Sequence, residues 1–174
     1  MEIIRIFGDC LFSFHLDGEK QNELAGLLSK WNDTSYLYYF VTENLADIPE
    51  GMSVTDCVKM LQNNAADLDH FLHTIAHSPR GDWNKFFKPL RNTEYGLESL
   101  SRQKGRNNYL RIYAIPIDAN CFVITGGAIK FHHLNIERKH TALEMKKLEK
   151  CRDFLQSHGI WDVNSFFELI NDAL

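Results

Sequence analysis

The fold of this chain turns on Tyr109-Leu-Arg-Ile-Tyr-Ala-Ile-Pro-Ile117, followed by Asp118-Ala-Asn120, Cys121-Phe-Val-Ile-Thr125 and Gly126-Gly127-Ala-Ile-Lys130. In the first run apolar residues alternate with period two, which puts Leu110, Ile112 and Ala114 on one face and Tyr109, Arg111 and Tyr113 on the other. Asp118-Ala-Asn120 turns the chain into a second strand. Gly126-Gly127 marks a bulge or a close backbone approach within it. The expected unit is a hairpin with one core face and one face able to host a site, its second strand finishing with Lys130, His132 and His133.

Just upstream, Ser101-Arg-Gln-Lys104-Gly-Arg106-Asn-Asn108 reads as a turn with basic flanks, and Lys104 and Arg106 are candidate phosphate contacts. Downstream, Thr141 and Glu144 have capping-box spacing. Leu148, Cys151 and Leu155 then mark a basic amphipathic helix closing near Gly159, and an aromatic tail with Trp161, Phe166 and Phe167 is expected to pack back on the body.

The first half has a different character. Apolar, β-prone residues 3–7 and 11–16 flank Gly8-Asp9, a dipeptide suited to a type II′ hairpin turn. Leu24, Leu27, Leu28 and Trp31 predict a short helix ending near Asn32-Asp33. Ser35-Tyr-Leu-Tyr-Tyr-Phe-Val-Thr42 is rich in aromatic and β-branched residues and reads as a strand, with a helix as the alternative. Ser53 and Asp56 then open a long amphipathic helix, carried by Val54, Val58, Leu61, Ala65, Leu68, Leu72 and Ile75 and stopped by Pro79. His70, His73 and His77 share its opposite face, where unliganded exposed histidines are commoner than a metal site.

The chain has 174 residues, 44% hydrophobic and 24% charged, which excludes disordered, collagen-like and coiled-coil classes. Its four cysteines are too far apart in sequence for a CxxC redox pair or a local zinc knuckle, so they read as buried thiols of a reducing compartment. No apolar run approaches the ~18 residues of a membrane span, and the expectation is a soluble, cytoplasmic protein without membrane contact. HExxH and GxxxxGK patterns are absent, and no metal or nucleotide cofactor is expected. Charge is polarised: residues 80–150 hold 14 Lys and Arg against 7 Asp and Glu, or +7, while the other 103 hold 5 against 16, or −11. A basic segment in an acidic chain suits a polyanion-binding face.

Residues 86–155, about 70 of the 174, resemble the RelE and HigB superfamily of bacterial toxins, its phage-derived HigB-like branch included. The likeness rests on Gly105-Arg106 and Leu110-Arg111-Ile112-Tyr113, then Gly127-Ala-Ile-Lys130, then the final helix. It implies an α+β fold: a RelE-like twisted antiparallel sheet with helices packed on one side, preceded by an N-terminal α/β extension. Residues 1–79 would be that hairpin and helical extension, and residues 80–174 the toxin core with its C-terminal helices. It also implies a metal-independent endoribonuclease acting on mRNA, often on the ribosome, by attack of a ribose 2′-OH to leave a 2′,3′-cyclic phosphate. A cognate antitoxin, of helix-turn-helix type, would neutralise it. The alternative is a non-catalytic RelE-fold module, of phage or mobile-element origin, that binds protein or RNA.

That chemistry needs a proton handler, cations on the phosphate and an acid for the leaving oxygen. The resemblance assigns the late catalytic position to His132, with His133 as understudy, and histidine suits it because its ordinary pKa is about 6.5. Arg111 is the candidate phosphate clamp, Lys104, Arg106 and Lys130 would add charge, and Tyr113 could stack on a base or give a proton. Between Tyr109 and His133 the one acidic residue is Asp118, which leaves the general base open.

Overall fold

In the computed structural model, which describes residues 1–78, 82–90, 103–131 and 139–172, the chain is α+β. The strands are β1 (Glu2–Phe7), β2 (Leu11–His15), β3 (Phe87–Pro89), β4 (Gln103–Asn107), β5 (Leu110–Asp118) and β6 (Cys121–Ile129). The helices are α1 (Glu23–Asn32), α2 (Thr34–Glu43), α3 (Val54–Ala76), α4 (Trp83–Phe86), α5 (Lys139–Ser157) and α6 (Val163–Asp172). All six strands join one sheet in the order β1-β2-β6-β5-β4-β3.

The sheet is not wholly antiparallel. β2 runs parallel to β6 through Leu11↔Phe122, Phe12↔Val123 and Ser13↔Ile124, whereas the other neighbours are antiparallel. Parallel neighbours require a long crossover, and the whole stretch from α1 to β5 supplies it. The N-terminal hairpin is thereby hydrogen-bonded into the same sheet as the β5–β6 hairpin. Its loop spans residues 8–10, with Gly8 at φ +49° and Cys10 donating to the Phe7 carbonyl, one residue longer than the expected two-residue turn.

Nor do the helices sit on one side only. Successive strand residues point to opposite faces. Leu11, Ile112, Phe122 and Ile124 pack against α1 to α4, while Phe12, Ile115 and Val123 pack against α5 and α6. Both faces of β5 are therefore buried over Leu110–Ile117, including the face expected to be open. Each fully buried side chain such as Phe12 or Trp31 contributes about 1.5–3 kcal/mol of transfer free energy. The bulge expected at the paired glycines falls one residue earlier. Tyr113 pairs with Gly126 but Ala114 with Ile124, so Thr125 is the extra residue and its hydroxyl donates to the Tyr113 carbonyl at 3.3 Å.

Residues 35–42 are helical, not extended. Asp33 caps α2 by accepting from the Ser35 and Tyr36 amides, Leu37 and Val41 bury one turn apart, and the Thr42 hydroxyl bonds back to the Tyr38 carbonyl. Tertiary burial of that i, i+4 pair outweighs the β-propensity of the aromatic run. The basic segment expected as a turn is strand β4, held between β3 and β5, and the turn itself is at Asn108, with φ +49°. Gly105 is required there, since a Cβ would lie 2.1 Å from Cε1 of Phe86.

The remaining expectations fare variously. α1 and α3 have the expected extents, and the Ser53 hydroxyl accepts from the Asp56 amide at the start of α3. Thr141, expected to begin a helix, lies two residues inside α5, and Glu144 has a different partner, described below. Leu148, Cys151 and Leu155 are buried, as is Phe166, whose ring meets Phe12 edge-on at 4.9 Å, but Trp161 is exposed. Among the described residues no helix is long and apolar enough to cross a membrane.

Candidate nucleic-acid interface and the adjoining cleft

Cross-strand register assembles the basic residues. Lys88 pairs with Lys104, Lys104 with Tyr113, Arg106 with Arg111, and Arg111 with Ala128. These positions share one sheet face, the one that α5 covers further along. α5 lies over β5 and β6, with Tyr113, Ala128 and Leu148 in contact. Towards β3 and β4 that cover ends, and Lys88 and Arg106 are exposed.

Arg111 is 6% exposed, and its guanidinium donates to the carbonyls of Asn108 at 2.7 Å and Leu110 at 2.8 Å. Burial, with the like charge of Arg106 next, pulls its pKa down to about 10. Lys130 is half-buried beyond β6, its amide bonded to the Tyr109 carbonyl, and burial followed by repulsion from Arg111 lowers its pKa. Arg106 turns its Nε to the Asn108 carbonyl at 3.3 Å. Among the described residues neither Lys88, Arg106, Arg111 nor Lys130 is ion-paired with a carboxylate, so like charges stand opposed across β4 and β5. Tyr113 is 3% exposed beneath α5, and burial pushes its phenol up to about 12.

The structure thus brings together Arg106, Arg111 and Lys130 of the predicted set and places Lys104 in strand register beside them. The Lys104 side chain, His132 and His133 lie outside the described residues. Two of the three histidines predicted on the α3 face, His73 and His77, are otherwise engaged. His77 contacts the His73 carbonyl at 2.7 Å at the helix end, and His73 meets the Phe7 ring at 4.9 Å. Among the described residues no group of three His, Cys, Asp or Glu is arranged to hold a metal.

A second constellation lies on the far side of β6. There Glu144 accepts the Gly127 N–H at 2.9 Å, and Lys147 reaches Glu144 at 2.9 Å and Glu23, at the start of α1, at 2.6 Å. Burial raises the Glu144 pKa against the lowering by Lys147. Burial lowers Lys147, but the two carboxylates outweigh it and the net shift is upward. Tyr36, shifted upward by burial and by Glu144, lines the same cleft of about 540 Å³. Sequence reasoning missed all three charged groups. Glu144 carried only the spacing of a cap, and nothing local links it to Glu23, 121 positions away.

No family model matches the chain, and no curated protein or solved structure matches it.

Proposed function

We propose that this protein is a RelE-like, RNA-directed toxin whose phosphate-binding surface is the basic edge of the sheet at β3, β4 and β5. The observation that carries this reading is the Arg106–Arg111 pair. Two arginines directly opposite on adjacent strands repel, and an anion over the pair would relieve that repulsion. A phosphate oxygen pair matches an arginine fork, and Arg106 is the exposed member able to offer one. Cleavage would follow the metal-independent route, with 2′-OH attack and a cyclic phosphate product, His132 or His133 carrying the proton, and an antitoxin holding the face inactive.

A second reading, a RelE-fold module that binds RNA or protein without cutting it, is favoured by the commitment of Arg111 to two carbonyls and by the burial of Tyr113. One experiment separates the two. Single-stranded RNA is titrated by fluorescence anisotropy at rising salt, and the ends of any product are analysed with and without chelator. Tight binding at low salt that weakens steeply with salt, and that Lys104→Gln with Arg106→Gln abolishes, supports the surface. Cyclic phosphate ends indifferent to chelator support the toxin, and binding without cleavage supports the module. No binding at low salt removes the toxin and the RNA-binding form of the module.

A further inference from the structure

β2 and β6 are paired over three residues only, and then they part. α1 starts in the fork, its Leu24 amide donating to the buried Ser13 hydroxyl at 3.0 Å. Beyond the fork β6 runs on to Ile129 with β5 on one side, and among the described residues no strand pairs with 126–129 on the other. Interior strands seldom leave backbone groups open in this way, because an unpaired edge invites another chain. The Glu144 carboxylate occupies the Gly127 N–H, where the carbonyl of a neighbouring strand would otherwise sit. Along this edge runs the cleft of about 540 Å³, walled by α1 and α5.

We propose that this cleft binds an extended peptide of about four residues, which adds as a strand to β6 and places an arginine or lysine side chain beside Lys147, against Glu23 and Glu144. The length follows from residues 126–129, about 13 Å at ~3.3 Å per residue, of which Gly127 and Ile129 turn their backbone groups away from β5. The basic side chain follows from charge. Two carboxylates share the single ammonium of Lys147, so this partly buried trio carries a net negative charge that an incoming cation would balance, and Lys20 and Lys30, which also line the cleft, pair with neither carboxylate. Room follows from Gly26, which lines the cleft and would gain no contact within 4 Å from a Cβ. Main-chain hydrogen bonds to the edge would supply affinity and the cation specificity, the usual division in strand addition. The proposal is independent of the RNA reading, because β6 lies between the cleft and the basic edge.

The test is a positional-scanning library of N-acetylated pentapeptides against the full chain, with binding of the enriched sequence measured by calorimetry. Arg or Lys should dominate one position, and Glu23→Gln should remove that preference. N-methylation of alternate amides should weaken binding at least tenfold in one parity and leave the other nearly unchanged, the signature of a strand. Gly26→Leu, at a helix position with open space, should not lower the thermal midpoint and should abolish binding. Absence of any enriched position, enrichment of acidic residues, or equal loss in both N-methyl parities overturns the proposal. So does a Gly26→Leu variant that loses RNA affinity instead, which would assign the cleft to RNA.

Discussion

The carboxylate of Glu144 on α5 accepts the backbone N–H of Gly127 on β6 at 2.9 Å, seventeen residues away in the chain. A helix side chain thus completes a strand edge. Glu144→Ala would leave that N–H without its acceptor and Lys147 with half its partners, at a cost of about 1–3 kcal/mol. Glu144→Gln keeps an acceptor oxygen and should lose distinctly less. Urea unfolding of the two variants decides it, and equal losses would mean that the hydrogen bond to Gly127 contributes nothing.

Lys147→Met should be the most pH-sensitive change in the molecule. Without the ammonium, Glu23 and Glu144 face each other partly buried and unpaired, which costs about 3 kcal/mol near neutrality. The Glu144 pKa is already raised in the folded state, and removing Lys147 raises it further. Such a carboxylate binds its proton more tightly folded than unfolded, so stability falls as pH rises between the unfolded and folded values. The deficit of Lys147→Met should therefore shrink on going from pH 7 to pH 5. A deficit independent of pH would show that packing of the lysine stem, and not its charge, is what was lost.

How far these relationships could be read from the sequence depended on their range. The two hairpins, α1 and α3 are written in local periodicity and turn chemistry, and all four form, the first hairpin with a loop one residue longer and the second with its bulge one residue earlier than expected. Residues 35–42 went astray because Leu37 and Val41 have helical spacing inside an aromatic run whose propensity points the other way. β4 went astray because Gln103-Lys-Gly-Arg-Asn107 has no apolar alternation; only two flanking strands make it a strand. The site divides likewise. Alternation placed Arg111 and Tyr113 on one face, but α5, far along the chain, decided that this face is covered. The contact of Glu144 with Gly127 and the pairing of Glu23 with Lys147 leave no local trace at all.

Gly127 should tolerate no side chain. A Cβ there would stand 2.4 Å from the Arg111 carbonyl and 2.8 Å from Cδ1 of Leu27, and the first of these is backbone that cannot swing aside. Gly127→Ala is expected to cost at least the 1–3 kcal/mol typical of overpacking, measured by thermal or urea unfolding. Gly26→Ala, where the Cβ meets open space in the middle of α1, should instead stabilise by about 0.5–1 kcal/mol through helix propensity. Similar effects of the two would contradict the close approach between β6 and β5.

Arg106 and Arg111 should separate binding from stability. Arg106 is exposed, so Arg106→Gln should leave the unfolding midpoint within about 0.5 kcal/mol of wild type and reduce the salt slope of RNA binding by about one. Arg111→Met removes the donors that satisfy the Asn108 and Leu110 carbonyls at the β4–β5 turn, and should cost about 1–3 kcal/mol of stability. Anisotropy and unfolding on the same samples test the pair. A destabilised Arg106→Gln, or an Arg111→Met that alters binding alone, reverses the assignment.

Tyr113 offers an optical check on the buried face. Its phenol is 3% exposed and held up to about 12, so in the folded chain it should remain protonated at pH 11, where an unperturbed tyrosine of pKa about 10 is mostly ionised. At that pH the tyrosinate absorbance of folded Tyr113→Phe should equal that of wild type, whereas in urea it should fall by about one part in six, there being six tyrosines. The same shift has a consequence for stability. A group that keeps its proton longer when folded contributes stability that is lost as pH rises from about 10 to about 12, and Tyr113→Phe should lose less over that interval. Arg111, lowered to about 10 by burial, runs the opposite way and is itself raised by Tyr113, so the comparison reads the phenol together with its interaction with Arg111. A buried phenol of this kind is a poor proton donor at neutral pH. If the protein cleaves RNA, the rate-versus-pH curve of Tyr113→Phe between about pH 5 and 9 should keep both limbs of the wild-type curve. Loss of a limb would mean that α5 moves aside in the RNA complex and opens Tyr113 to the substrate.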